Sequence, residues 1–278
     1  MSNLRLIWAI PSDEATLSAS PALVATLPET NLQDPTRARV ARTTGLADQQ
    51  ILGDLTALTM VNSFVLWRHN LSSAATWRIE LFDGAGQTGV TVYDSGTGIA
   101  NPPKALGDLE WGIDPLGATV FNGWSLAYSV MWFPTSAALS FKLTLSDSNN
   151  DYGYMESSRM MLGRYFEPKT NADFGLGLKW VDESTQIRTA GGTLRTEAGP
   201  VFREMDFNLS FLTESERPKF MEIMRTMGKR SDLFISLFPE VGGDKERDYA
   251  FVCKISGGHG SIHENHSYYQ DKLILQEA

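Results

Sequence analysis

Residues 154–166 read YMESSRMMLGRYF, and Pro168 closes the stretch. Arg159 and Arg164 interrupt a run that is otherwise apolar and aromatic. Gly163 and the lack of a 3.6-residue stripe count against a helix. As a strand, Met155, Ser157, Arg159, Met161, Gly163 and Tyr165 share one face. Tyr154, Glu156, Ser158, Met160, Leu162, Arg164 and Phe166 share the other. Neither face is wholly polar, as expected of a strand covered on both sides. The stretch therefore reads as the last strand of a first β domain, leading into the connection EPKTNADFGLG.

The flanking sequence has the same grammar. NLRLIWAI (3–10), RARVART (37–43), NSFVLWRHN (62–70), ATWRIELFD (75–83), VTVYDS (90–95), WSLAYSVMWF (124–133) and ALSFKLTLSD (138–147) read as strands. Turn formers separate them, as in DGAGQTG (83–89) and DSNNDYG (147–153). Two strands alternate: Trp77, Ile79 and Leu81 oppose Arg78 and Glu80, and Leu139, Phe141, Leu143 and Leu145 oppose Ser140, Lys142, Thr144 and Ser146. This is the pattern of a β-sandwich or barrel.

The last third differs. VFREMDFNLSF (201–211) places Val201, Met205, Phe207, Leu209 and Phe211 on one side. A helix follows: Ser215 as its cap, Glu216 in its first turn, Pro218 at its third position, Phe220, Ile223, Met224 and Met227 as its apolar stripe, and Gly228 at its end. Strands at 232–239, 248–256 and 267–277 complete a β-α-β-β-β order. The expected organisation is a jelly-roll β-sandwich domain over 1–168, a polar, Gly-rich linker over 169–195, and a sheet domain carrying one helix over 196–278.

Composition narrows the function. The chain has 278 residues, 42% hydrophobic and 21% charged, with a net charge of −9, so it supports a packed core. It lacks the basic stripe of a nucleic-acid binder, KR at 229–230 being its densest basic cluster. The N-terminus holds only five consecutive apolar residues, LIWAI, short of the roughly 7–15 of a signal peptide. The run SLAYSVMWF falls short of the ~18 residues of a membrane span. The expectation is a soluble product of the cytoplasm with no membrane insertion. Cys253, the single cysteine, reads as a buried inert thiol.

No catalytic signature is present. There is no G-x-S-x-G elbow, GLGLKW (175–180) is not a phosphate loop, and no pair among the acids stands out for glycoside hydrolysis. The expectation is no enzyme, no catalytic residue and no cofactor. GHGSIHENH (258–266) gathers His259, His263, Glu264 and His266, a donor set for zinc or nickel. The preceding glycines favour a solvated hairpin tip and a polar interface loop instead. Trp67, Trp77 and Trp132 read as core. Trp111 and Trp124 lie in the loop-rich GDLEWGIDPLGATVFNGW (107–124). With Asp114 and Asn122 they form the carbohydrate candidate, since sugar sites combine aromatic faces with a few amide and carboxylate partners.

NLQDPTRARVART (31–43), FVLWRHNLSSAATWRIELFD (64–83) and YMESSRMMLGRYFEPKTN (154–171) resemble phage tail-tip proteins with a galactose-binding-like (discoidin-type) jelly roll. GGTLRTEAGPVFREMDFNLSFLTESERPKFMEIM (191–224) resembles the β-α segment of distal-tail and tail-tube proteins. The resemblance implies a structural subunit of a virion tail tip or baseplate. Such a subunit forms or decorates a ring of three or six copies around the tail axis and attaches tail-tube, hub or fibre proteins. The alternative is a carbohydrate-binding module that aids adsorption to host-surface glycans.

Overall fold

The structure is a computed structural model and describes residues 2–124, 126–257, 260–265 and 268–278, the side chains of Glu264 and Asn265 excepted. It is mainly β. β1 (Arg5–Ala9) is followed by β2 (Thr16–Ser20), β3 (Ala41–Arg42), β4 (Gln49–His69), β5 (Thr76–Phe82), β6 (Thr91–Asp94), β7 (Gly98–Ile99), β8 (Tyr128–Ser146) and β9 (Glu156–Phe166). Next come β10 (Gly177–Asp182), β11 (Thr185–Arg188), β12 (Leu194–Glu197), β13 (Val201–Thr213), α1 (Arg217–Met227), β14 (Leu233–Ser236), α2 (Gly243–Asp248), β15 (Ala250–Ile255), β16 (Ile262–Asn265) and β17 (Tyr268–Glu277). The chain forms two compact units, residues 9–165 and residues 1–8 with 166–278. The first strand, expected within 1–168, thus groups with the second unit, where Leu6 pairs with Ile235 of β14. No helix among the described residues is long and apolar enough to cross a membrane.

In the unit of 9–165, β4 and β8 are long antiparallel partners shared by two sheet regions. Gln49–Asp54 of β4 lies between β2 and the end of β8, which continues to β5 and β6. Ser63–His69 lies between the start of β8 and β9. Register shifts in β4 between Asp54 and Thr59, and between Val61 and Ser63, separate the regions. Such bulges bend a strand, so one strand serves two faces of a sandwich. Ile51, Phe64, Leu66, Ile79, Leu81, Phe141, Leu143, Met160 and Leu162 fill the core, and Phe64 meets Trp77 edge-on at 5.7 Å.

The double-sided reading of 154–166 fits, since residues 157–163 are all buried. Trp67 and Trp77 are core, whereas Trp132 is half-buried. RARVART gives only the two-residue β3, because residues 37–40 form turns and loop.

The other unit departs further from its sequence pattern. The expected linker 169–195 holds β10, β11 and the start of β12. β10 pairs with β13 from Gly177↔Asp206 to Asp182↔Val201, so its polar residues are those of a wet edge strand rather than a connection. An unexpected short helix, α2, sits between β14 and β15. In β13 a register shift between Leu209 and Leu212 turns Leu212 inward and leaves Phe211 exposed. Val201 is exposed too, and the buried position near that end belongs to Arg203. Its guanidinium meets Glu277 at 2.7 Å and also donates to the Arg247 carbonyl at 3.0 Å. The ring of Phe251 lies 4.6 Å away.

α1 buries Phe220, Ile223 and Met224. Its cap is Glu216 rather than Ser215, and Pro218 falls at the second helical position rather than the third. The Glu216 carboxylate reaches back to the backbone N–H of Thr213 at 3.0 Å and accepts from Lys169 N–H at 2.6 Å. The carboxylate thus ties the start of α1 to the chain before it and makes no hydrogen bond to the helix's own N–H groups. Gly228 takes φ 51° beyond the last turn, where a side chain would be strained.

Candidate functional site

A cleft of about 340 Å³ opens in the unit of 9–165. Three segments line it. The end of β4 and the residues after it give Arg68, His69, Asn70 and Leu71. The loop before β8 gives Asn101, Thr119, Phe121, Trp124 and Ala127. The approach to β9 gives Tyr152, Tyr154 and Glu156. Pairing of β4 with β8 and β9 brings these chain-distant segments to one end.

Hydrogen bonds to backbone fix the scaffold of the cleft. Asn70 Nδ2 donates to the Tyr154 carbonyl at 2.9 Å, and Asn70 Oδ1 accepts from Glu156 N–H at 2.8 Å. Asp147 braces the neighbouring turn, accepting from Ser72 N–H at 2.8 Å and from Asn150 Nδ2 at 3.0 Å. The Glu156 carboxylate is closed by Arg42, whose Nε and Nη2 lie 2.9 and 2.7 Å from Oε2. Arg42 in turn lies 4.1 Å over the Tyr154 ring.

His69 looks like a base beside a serine, yet its protons run the other way. Nδ1 accepts from Leu71 N–H at 3.3 Å, so Nε2 carries the ring proton and faces Ser129 Oγ at 2.8 Å. The Ser129 hydroxyl donates to the Ala100 carbonyl. A base activating a serine must receive that hydroxyl proton, and here the receiving nitrogen is already protonated. Burial holds His69 neutral, with its pKa lowered from 6.5 to about 4.

Two groups in the cleft are held differently. Asn101 is 4% exposed; its Nδ2 donates to the Leu71 carbonyl at 2.9 Å while its Oδ1 has no partner. Buried acceptors without a partner are uncommon and call for a ligand or water. Arg68 adopts φ 53°, a left-handed conformation that costs a non-glycine residue about 1–2 kcal/mol. Its Nη1 donates to the Arg37 carbonyl at 2.6 Å.

Of the four carbohydrate candidates read from sequence, Trp124 lines the cleft. Asp114 and Asn122 come together as a brace of their own loop. Asn122 Nδ2 donates to Asp114 Oδ1 at 3.0 Å, and Lys104 Nζ reaches Oδ2 at 2.9 Å. Asn122, and then Lys104, hold the Asp114 pKa down to about 2. Trp111 is 96% exposed and does not line the cleft. Sequence reasoning missed Arg68, Asn101, Tyr152, Tyr154 and Glu156. The one local signal was the polar RHN ending the apolar FVLW.

Of the histidine cluster, His259 and His266 lie outside the described residues. His263 sits in β16 opposite Tyr269 and stacks on its ring at 4.6 Å, so it belongs to a strand of the β16–β17 hairpin rather than to a loop. Among the described residues no group of three His, Cys, Asp or Glu side chains could hold a metal ion. Cys253 is buried in β15, and burial pushes its thiol pKa up.

The cleft brings together aromatic faces, side-chain amides and one guanidinium. No protein-family model matches the chain, and no curated protein matches it. Among solved structures it is similar to chitosan-binding module 1 of a chitosanase/glucanase from Paenibacillus sp. IK-5, with 16% identity, 56% of this chain and 97% of that one covered, and a TM-score of 0.38. It is similar to the family 32 CBM of C. perfringens NanJ in complex with galactose, with 15% identity, 58% and 99% coverage and a TM-score of 0.39. It is also similar to a CBM32 from a family 31 glycoside hydrolase of Clostridium perfringens, with 14% identity, 56% and 95% coverage and a TM-score of 0.41.

Proposed function

We propose that the unit of 9–165 is a carbohydrate-binding module whose site is the cleft between the end of β4, the loop before β8 and the approach to β9. The observation that carries this reading is the lining itself. Phe121, Trp124, Tyr152 and Tyr154 offer aromatic surface beside the buried amide of Asn101, whose Oδ1 makes no hydrogen bond. Pyranose rings present C–H faces to aromatic rings and hydroxyls to amides, so these two kinds of group together match a sugar. Titration of the full chain against a panel of mono- and disaccharides tests it. Trp124→Ala should abolish binding, whereas Trp111→Ala should leave it unchanged. Equal loss from both would remove the cleft as the site.

A second reading concerns the whole chain: a subunit of a phage tail tip or baseplate, assembling as a ring and presenting the sugar module to host-surface glycans. Every residue of the strands β11 and β12 is exposed, with the apolar Ile187 and Leu194 among them. Isolated two-stranded hairpins are marginal in water, and a hairpin of this kind favours contact with another chain. Native mass measurement tests it: trimers or hexamers support the ring, and a monomer at high concentration counts against it.

A further inference from the structure

We propose that the cleft selects saccharides bearing a carboxylate, and that Arg68 is the residue that selects them; this rests on the sugar-binding reading. The chain has 33 acidic and 24 basic side chains excluding histidine, yet Arg68 lines the cleft without a carboxylate partner among the described residues. A guanidinium has five N–H donors, and the bond to the Arg37 carbonyl is made by Nη1. The left-handed backbone at Arg68 supports this assignment. Strain of that kind persists where surrounding structure holds a side chain in a required place.

The other titratable groups facing the cleft do not neutralise Arg68. Glu156 is engaged by Arg42 through both Nε and Nη2. His69 is neutral because it is buried and its ring proton faces Ser129. Among the residues lining the cleft, Arg68 is therefore the one positive charge without a carboxylate partner, on a chain whose net charge is −9. A neutral sugar would satisfy Asn101 Oδ1 and the rings and leave that charge without a counterpart. A uronic acid supplies both a hydroxyl donor for Asn101 and a planar carboxylate. Arg pairs with such a carboxylate through two parallel N–H bonds. An inorganic anion would supply no ring face for the aromatic side chains, which is why the ligand is a sugar acid.

Calorimetric titration of the full chain with D-galacturonate against D-galactose, and D-glucuronate against D-glucose, tests the proposal. At low salt the acid of at least one pair should bind about tenfold or more tightly, the worth of one charge-assisted bond. The advantage should shrink at 0.5 M NaCl, roughly a Debye length of 4 Å. Arg68→Gln should bring acid and neutral sugar within about twofold of each other, and Arg68→Lys, which keeps the charge without the fork, should fall between. Equal binding of acid and neutral sugar, or a preference that survives Arg68→Gln, overturns the selection by Arg68 and leaves the sugar reading standing. Binding of none of the four sugars overturns the selection by Arg68, and binding of no member of the wider panel of mono- and disaccharides overturns the sugar reading as well. Should Arg68→Gln fail to fold, the salt series on the unaltered chain decides: a preference independent of salt overturns the proposal.

Discussion

Replacing Glu277 by glutamine would leave the guanidinium of Arg203 charged and buried with its counterion gone. The two side chains are 2% and 1% exposed. Glu277 Oε1 accepts from Nη2 at 2.7 Å, and Oε2 accepts from Nε and from the Arg203 backbone N–H at 3.1 Å each. Removing one partner of such a pair costs about 3–5 kcal/mol, most of it the penalty of an uncompensated buried charge. With an m-value of about 2 kcal/mol/M in urea, the midpoint should fall by about 1.5–2.5 M. Far-UV circular dichroism at 222 nm suits the assay, because α1 and α2 both belong to the unit of 1–8 and 166–278. The double variant Arg203→Met, Glu277→Leu separates a pair that holds the fold from one whose removal as a whole is tolerated. Apolar replacement of a whole buried pair is often neutral, so the double variant should recover most of the loss. A single-variant shift below about 0.5 M, or a double variant that falls by the sum of the singles, would refute the reasoning.

His69 makes stability of the unit of 9–165 depend on pH. Its folded pKa of about 4 lies below the ordinary 6.5, so the unfolded chain binds a proton first as pH falls. The contribution is complete above about 6.5 and is lost down to about 4, a total of about 3 kcal/mol. Asp94 and Asp114, both near 2, act below the ordinary aspartate value of 3.8, so this window reports His69. His69→Asn should flatten it, and an unchanged slope would remove His69 as the cause. Gly53→Ala should lower the melting temperature by roughly 3–10 °C, because a Cβ there would lie 2.3 Å from the buried Phe141 ring. Gly45→Ala, with nothing within 4 Å of its added Cβ, serves as the control, and equal effects would contradict the packing argument.

The alternating strands were legible because each has one wet face. β5 shows this fully, with Trp77, Ile79 and Leu81 buried between half-buried Arg78 and Glu80. The first half of β4 was not legible, although Gln49, Ile51, Gly53 and Leu55 point inward there. Its period is hidden because one inward position is a glycine, whose missing side chain makes room for Phe141. The inward turn of Leu212 in place of Phe211 depends on a bulge that period-2 counting does not anticipate. The cleft was legible only at Trp124. Arg68, Asn101 and Tyr154 meet through strand pairing over long sequence separations, and no local spacing encodes that meeting.

The sharing of β4 by both sheet regions bears on how this unit comes apart. A single continuous strand has to leave two ladders when it detaches, so neither face can melt while the other stays native. Arg68 and His69 stand at one tip of that strand and Gln49 at the other. A molecule gripping the tip would slow amide exchange along its whole length, and a fault introduced at the far tip would be felt as weaker grip.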